Sequence, residues 1–519
     1  MTITESARAG SERAGRLIYA RLAHYGVLAA IVVAGAALRL TALNRQSLWF
    51  DEIDVVVRAQ RPLDQVLRTF VAAGENGPLY NILLALWVRL VGISEIAVRA
   101  PSAIAGVVGV LLIYLLGRRV AGATVGLIGA GLLAISPYHV WYSQEAKMYA
   151  MVVVLALAST YALVEALERN ERRWWVAYAV STTLLFYTHV ATVLVFAAQS
   201  LYAFYTVILR RAWPGRARGW LLAVAVLTLP YVPIALWALR VIGGQVATWH
   251  AQVGLWDALQ IFAVKFAVNR YDLVVQERAA VLYAVLAGLG AVVLALRRQP
   301  ARWWLLLLSL SVVPVIGLWL VSLRQSVFSD RYAIVALPAY LLLVAATVAW
   351  LIRQRWTWPL GLAAAFLLVT FAWGPLRDVN RAHTAQKEDW RSAYAWVADH
   401  AQPGDVLVVT PGYLITTYDY FAQREPRLAQ YQAIAMRSFT ADVWFNEEEM
   451  VRLLRERAGS ATGFWLIESP DRVGADDPER TLERWLDTHG DPTDELVVNG
   501  VRVTRFQLSA PPSALGQVP

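Results

Sequence analysis

Residues 47–60 read SLWFDEIDVVVRAQ. They follow directly on 22–43, an apolar run long enough to cross a bilayer, and they set three carboxylates at its edge: Asp51, Glu52 and Asp54. On a helix, neighbouring side chains point about 100° apart, so Asp51 and Glu52 face different ways. Asp51 and Asp54, three residues apart, can share a face. An acidic cluster beside a membrane span asks what chemistry the rest of the chain brings to the same level.

The chain has 519 residues, of which 58% are hydrophobic and 16% charged, with a mean hydropathy of +0.46. Soluble domains carry roughly 45–50% apolar and about 25% charged residues. The balance is that of a multi-pass membrane protein with a soluble part attached. There is no cysteine, which excludes disulfides, thiolate metal sites and a cysteine nucleophile. The net charge of +9 is mostly arginine and reads as topology, because cytoplasmic loops collect Lys and Arg; no nucleic-acid partner is expected. The polar, basic start (Arg8, Arg13, Arg16, Arg21) leads into a full-length span without a small-residue cleavage site, so no removable signal is expected.

Runs near the roughly 20 apolar residues a span requires lie at 22–43, 100–117, 121–137, 146–168, 174–209 (a hairpin), 219–240, 279–296, 303–323, 331–352 and 357–375. Basic clusters at Arg118–Arg119, 169–173, 210–218, 297–302 and 353–355 mark the cytoplasmic side. Counted from either direction, the 44–99 loop has both ends outside. The apolar segment within it, 78–92, therefore cannot cross once. It reads as a helix lying in the outer interface. The predicted fold is a polytopic α-helical membrane protein of about eleven spans, with residues 1–21 cytoplasmic and 22–377 forming the membrane domain. From 378 to 510 strand patterns at 405–412, 462–469 and 494–508 alternate with amphipathic helical patterns at 388–400, 447–457 and 477–489, which predicts an external α/β domain. Residues 511–519 read as disordered. There is no internal repeat.

With sides assigned, sequence-distant polar residues fall on the outer face. Loop 44–99 brings the three acids, Glu75, Asn76 and Arg99; 138–150 brings His139, Gln144, Glu145, Lys147 and Tyr149; "YTH" brings His189; loop 241–278 brings His250, Lys265, Asn269 and Arg270; "RQSVFSDRY" brings Arg324, Asp330, Arg331 and Tyr332. Arginine binds phosphate bidentately and lysine supplies a point charge, while a carboxylate can take a proton from an incoming hydroxyl. Together they suit glycosyl transfer from a polyprenyl phosphate, whose phosphate sits at this depth. Glu75 and His250 lack any ligand spacing for a metal.

"SLWFDE", "NGPLYN", "RAPSA", "YSQEAKMYA" and "DRYAIVALP", in this order and at these topological positions, resemble the GT-C class of membrane glycosyltransferases, closest to bacterial relatives of protein O-mannosyltransferases and of the aminoarabinose transferases that modify lipid A. The resemblance spans roughly residues 20–375. It implies a catalytic base at Asp51 and a supporting acid at Glu52. It implies donor-phosphate contacts at Arg99, Lys147, Arg331 and Tyr332, and it leaves Asp54, Asn76, Gln144, Glu145 and His189 as further substrate-site candidates. Lys147 stands where relatives carry Arg, and Asn76–Gly77 depart from the family's His or Glu and Pro or Lys.

The expectation is an inverting transferase of hexosyl or pentosyl units, moving sugar from a polyprenyl-phosphate donor to a glycan, lipid or protein acceptor outside a bacterial plasma (inner) membrane. No cofactor is assigned; a divalent cation is compatible. Two rivals are a flippase for lipid-linked sugars, which would place ionisable residues near mid-membrane and show paired halves, and a non-catalytic scaffold whose external domain binds a partner.

Overall fold

The computed structural model describes residues 3–68, 76–211, 214–229, 252–269, 273–297, 302–324, 326–379, 387–436 and 447–514. The chain divides into two compact units. One comprises Met1–Leu43, Leu67–Leu83 and Arg99–Val379; the other comprises Asn44–Val66, Leu84–Val98 and Asn380–Pro519. The loop carrying the acids thus belongs to the same unit as the tail.

The first unit is a helical membrane bundle. Among the described residues eight helices are long and apolar enough to cross a membrane: Ile18–Leu40, Glu95–Ala121, Tyr149–Arg169, Val190–Leu209, Leu273–Leu296, Trp303–Ser322, Asp330–Arg353 and Trp358–Asp378. A further apolar pair, Ala123–Ala134 followed by Pro137–Ser143, is bent by 61°. The expected eleven are not confirmed among the described residues. Arg172–Phe186, half of the expected hairpin, has only 15 residues, and the helix starting at Ala217 runs toward residues outside the described ones. The expected loop 241–278 holds a helix, Leu255–Val268. Glu75, His250 and Arg270 lie outside the described residues. Leu79–Val91 is a helix of 13 residues, about 20 Å long against a hydrocarbon core of about 30 Å.

The centre of the bundle is Leu337–Arg353, apolar and buried nearly all round, as a helix enclosed by other helices must be. It packs against Leu273–Leu296, Trp303–Ser322, Ala123–Ala134 and Trp358–Val379. A side chain at Gly290 would meet the Leu343 carbonyl; small residues let membrane helices approach this closely.

The break after Ala134 has a local cause. Pro137 supplies no amide to continue the helix, and Ser136 restarts it by accepting the His139 amide at 3.3 Å. Arg39 takes carbonyls at the break, that of Leu133 alongside the Ser136 amide at 3.3 Å. Its guanidinium, fully buried, donates to Leu133 O at 2.7 Å and to Ala134 O at 2.9 Å. It also reaches His139 Nδ1 at 2.9 Å.

In the second unit, five strands run β2-β1-β3-β5-β4: β1 Val406–Thr410, β2 Gln432–Ala435, β3 Gly463–Glu468, β4 Gly490–Val498 and β5 Val501–Leu508. β1 pairs in parallel with β2 and β3; β5 pairs antiparallel with β3 and β4. β1 and β3 are buried on both faces, as central strands covered by helices on each side are. Glu447–Ala458 and Thr481–His489 place Leu454, Trp485 and Leu486 against Val406, Phe464 and Phe506. Trp390–His400 buries Trp390, Ala393, Tyr394 and Val397, the i, i+3, i+4, i+7 stripe of a helix on a core. The expected single strand 494–508 is a hairpin, turning at Asn499–Gly500 with Gly500 at φ +69°.

Candidate substrate site

At one end of the bundle, five sequence-distant stretches are tied together within the membrane unit. The backbone of Gly77 lies against the Tyr187 carbonyl, where a Cβ would collide, and Leu79 donates its amide to that carbonyl at 2.8 Å. This is a physical reason for glycine in "NGPLYN". The Ser102 hydroxyl donates to the Lys147 carbonyl at 2.9 Å, so the Tyr80 hydroxyl, 3.0 Å away, donates to Ser102. Ser102 lies one helical turn after Arg99. Tyr149 then meets His189, ring centroids 6.1 Å apart. His189 meets Tyr332 at 4.7 Å, and the Arg331 guanidinium lies 5.8 Å from the Tyr149 ring centroid, a cation–π contact. The motifs around Asn76, Arg99, Lys147, His189 and Arg331 are one assembly.

The individual side chains differ in what already occupies them. Arg99 is buried and donates to Leu43 O at 2.6 Å, tying the end of the first span. Gln144 donates to Leu38 O at 3.0 Å and Thr41 O at 3.1 Å, so its amide holds the same end. Glu145 is buried; Asn76, Lys147, Arg331 and Tyr332 are half-buried. The carboxylate of Asp330 pairs with Lys265 at 2.9 Å, and its carbonyl accepts from Tyr138 at 2.9 Å.

His189 is the most constrained. It is buried, and its Nδ1 accepts the Ala191 amide at 3.1 Å. That fixes the tautomer: the proton of the neutral ring sits on Nε2, which has no hydrogen-bond partner among the described residues. Burial, and next the charge of Arg331, push the imidazole down to about 3. The ring is therefore a neutral donor beside an arginine.

The acids lie in the second unit, on the helix Phe50–Gln60, and the three have different surroundings. Asp54 is held by Arg58 at 3.0 Å. Glu52 is fully buried and paired with Lys387 at 3.2 Å. Asp51 is half-buried in the first turn. Its helix buries Glu52, Ile53, Val55, Val56 and Ala59 and packs on Ile415–Ala422. Sequence reasoning did not find Lys387, 335 residues from its partner, or Arg39; no periodicity or spacing signals a contact of either kind. Among the described residues no three His, Asp or Glu side chains group as a metal site.

Architecture and sequence motifs together define the class: the chain has the fold of the GT-C membrane glycosyltransferases. Residues 75–237 match the family described as dolichyl-phosphate-mannose-protein mannosyltransferase. The structure is similar to that of ArnT from Cupriavidus metallidurans in the apo state, at 13% identity, TM-score 0.58, covering 93% of this chain and 98% of that one. It is also similar to ArnT bound to undecaprenyl phosphate, at 13% identity, TM-score 0.52, covering 92% and 98%. A third similarity is to the oligosaccharyltransferase AglB from Archaeoglobus fulgidus in complex with an inhibitory peptide and a dolichol-phosphate, at 12% identity, TM-score 0.51, covering 94% and 74%. No curated protein matches the chain.

Proposed function

We propose that this protein is an inverting glycosyltransferase that takes its sugar from a polyprenyl phosphate and works at the outer face of a bacterial plasma membrane. The observation that carries the reading is the assembly of Arg331, Tyr332, His189 and the Lys147 turn at one end of a bundle with the GT-C fold. The lipid phosphates bound by ArnT and AglB support a donor of that chemistry.

In the proposed reaction an acceptor oxygen attacks the anomeric carbon and the bond from that carbon to the phosphate oxygen breaks. Asp51 takes the acceptor's proton, with Glu52 as its supporting acid. The departing phosphate gains negative charge, which Arg99, Lys147 and Arg331 offset as cations, with Tyr332 and the His189 Nε2–H as neutral donors. Asp54, Asn76, Gln144 and Glu145 shape the surroundings of donor and acceptor.

The test is transfer in membranes supplied with radiolabelled undecaprenyl-phosphate mannose, glucose or arabinose. Asp51→Asn is expected to lower kcat by about a hundredfold or more, and Arg331→Gln to raise donor KM and lower kcat together. Transfer at the wild-type rate in Asp51→Asn removes the base. Unchanged constants in Arg331→Gln remove the phosphate contact.

A further inference from the structure

We propose that Lys387, in the segment that opens the tail domain, is a positioning residue for Asp51: by clamping Glu52 it sets the direction of the acidic helix. This rests on the reading of Asp51 as the base.

Glu52 has no solvent exposure. An ionised carboxylate in such a place must be paired, because its desolvation is otherwise uncompensated. The Lys387 ammonium is the partner at 3.2 Å, and it too is buried, at 8% exposure. A pair this far apart in sequence and this well hidden is not a surface ornament.

The neighbours of Lys387 grip the same helix. Glu388 accepts the amide of Phe50 at 3.1 Å, one of the donors that a helix start leaves without an internal partner. Glu388 is itself held by Arg472 at 2.7 Å and by Trp390 Nε1 at 2.8 Å. Arg391 donates its amide to Ser47 Oγ at 3.1 Å, and its guanidinium to the carbonyls of Asn44 and Gln46 at 3.0 and 3.2 Å. Residues 387–391 thus hold the lead-in loop, the first amide and the second acid of the helix.

Asp51 lies between Phe50 and Glu52, both held. With Glu52 fixed toward Lys387, the about 100° step between successive helical residues fixes where the Asp51 carboxylate points. Glu52 thus anchors the helix that carries Asp51.

The test uses the full-length chain in membranes with the three radiolabelled undecaprenyl-phosphate sugars, beside amide hydrogen exchange over residues 50–60 of the purified protein. Lys387→Met is expected to lower kcat about tenfold or more while donor KM stays within about twofold, the mark of a misplaced reacting group. Exchange over 50–60 is expected to rise. Lys387→Arg keeps the charge and is expected to retain most of kcat. Glu52→Gln/Lys387→Met, which removes both charges, is expected to return exchange toward wild type. Wild-type exchange in Lys387→Met overturns the clamp; raised exchange with wild-type kcat overturns the positioning role. A fall in kcat that Lys387→Arg does not rescue also overturns it. Wild-type transfer in Asp51→Asn sinks the base reading alone, and exchange in Lys387→Met still decides the clamp.

Discussion

The two units differ in how they use buried arginines: those of the bundle reach backbone carbonyls, and those of the tail reach carboxylates. In the membrane bundle some buried polar groups serve the backbone, as Arg39 takes the carbonyls of Leu133 and Ala134, Arg99 takes Leu43 and Gln144 takes Leu38 and Thr41, while others pair with side chains, as Gln199 does with Ser159 and Thr160. In the tail unit buried carboxylates meet cations. Glu52 meets Lys387, Glu95 meets Arg391 and Arg424 at 3.2 and 3.1 Å, and Asp405 meets Arg505 at 3.2 Å and Trp465 at 2.8 Å. The difference follows from the solvent. A helix that ends in or beside hydrocarbon has no water for its last carbonyls, so the protein must supply donors. A domain in water leaves its loose ends to solvent and needs partners only for the charges it hides.

The largest effect that tests this contrast is in the tail. Asp405 accepts the Gln402 amide, the Trp465 indole and Arg505. Asp405→Ala is expected to destabilise the unit by about 3–5 kcal/mol, because it strands a buried guanidinium. Asp405→Leu/Arg505→Met, removing both charges, should recover much of the loss. Arg39→Leu in the bundle is expected to cost at most about 1–3 kcal/mol, from the Ala134 carbonyl left without its donor, since Leu133 keeps the Ser136 amide at 3.3 Å. No second substitution can remove a carbonyl, so no partner change should rescue it. Thermal unfolding of the full-length protein in detergent checks both, and a rescuable Arg39→Leu breaks the comparison.

His189 sharpens the contrast by pH. Its folded pKa lies near 3, below the reference of about 6.5, so between these values the unfolded chain binds more protons. Stability is therefore full above about pH 6.5 and falls as pH drops toward 3, by at most about 1.4 kcal/mol per unit. His189→Gln should flatten that slope. An unfolding midpoint that tracks pH equally in wild type and His189→Gln means the ring is not held neutral.

Much of this was readable in advance, for definite reasons. Spans announce themselves because hydrocarbon demands unbroken apolar length, and charge asymmetry set the five polar motifs at one level. In the structure Gly77, Ser102, Tyr149 and His189 bring four of those stretches into contact. What the sequence hid depends on coincidence in space. In sequence the break at Ile135–Ser136 reads as the end of a span, because Pro137 and the polar residues beyond look like any exit from the bilayer. Only the position of Arg39 shows that the carbonyls there are capped from inside. β2, QAIA, is four residues with one buried, too short to alternate. The acids are visible as a cluster, but nothing in "DEID" announces that Glu52 meets a lysine 335 residues away.

The smallest expected effect belongs to Asp54, two residues beyond Glu52 on the same helix. It too is paired with a cation, Arg58, at a shorter distance of 3.0 Å. Distance alone would rank it above Glu52–Lys387. Exposure reverses the order. Asp54 and Arg58 are 19% and 29% exposed, against 0% and 6% for the side chains of Glu52 and Lys387. Water screens the first pair, and an i,i+4 pair of this kind is worth about 0.3–0.5 kcal/mol. Asp54→Asn should therefore shift the unfolding midpoint barely, lose even that shift in 1 M salt, where the screening length is about 3 Å, and leave exchange over residues 50–60 near wild type. Lys387→Met should do the reverse on every count, its effect persisting in salt because the pair is shielded. If Asp54→Asn loosens the helix as much as Lys387→Met does, it is charge count along the helix, rather than burial against the tail domain, that holds Asp51 in place.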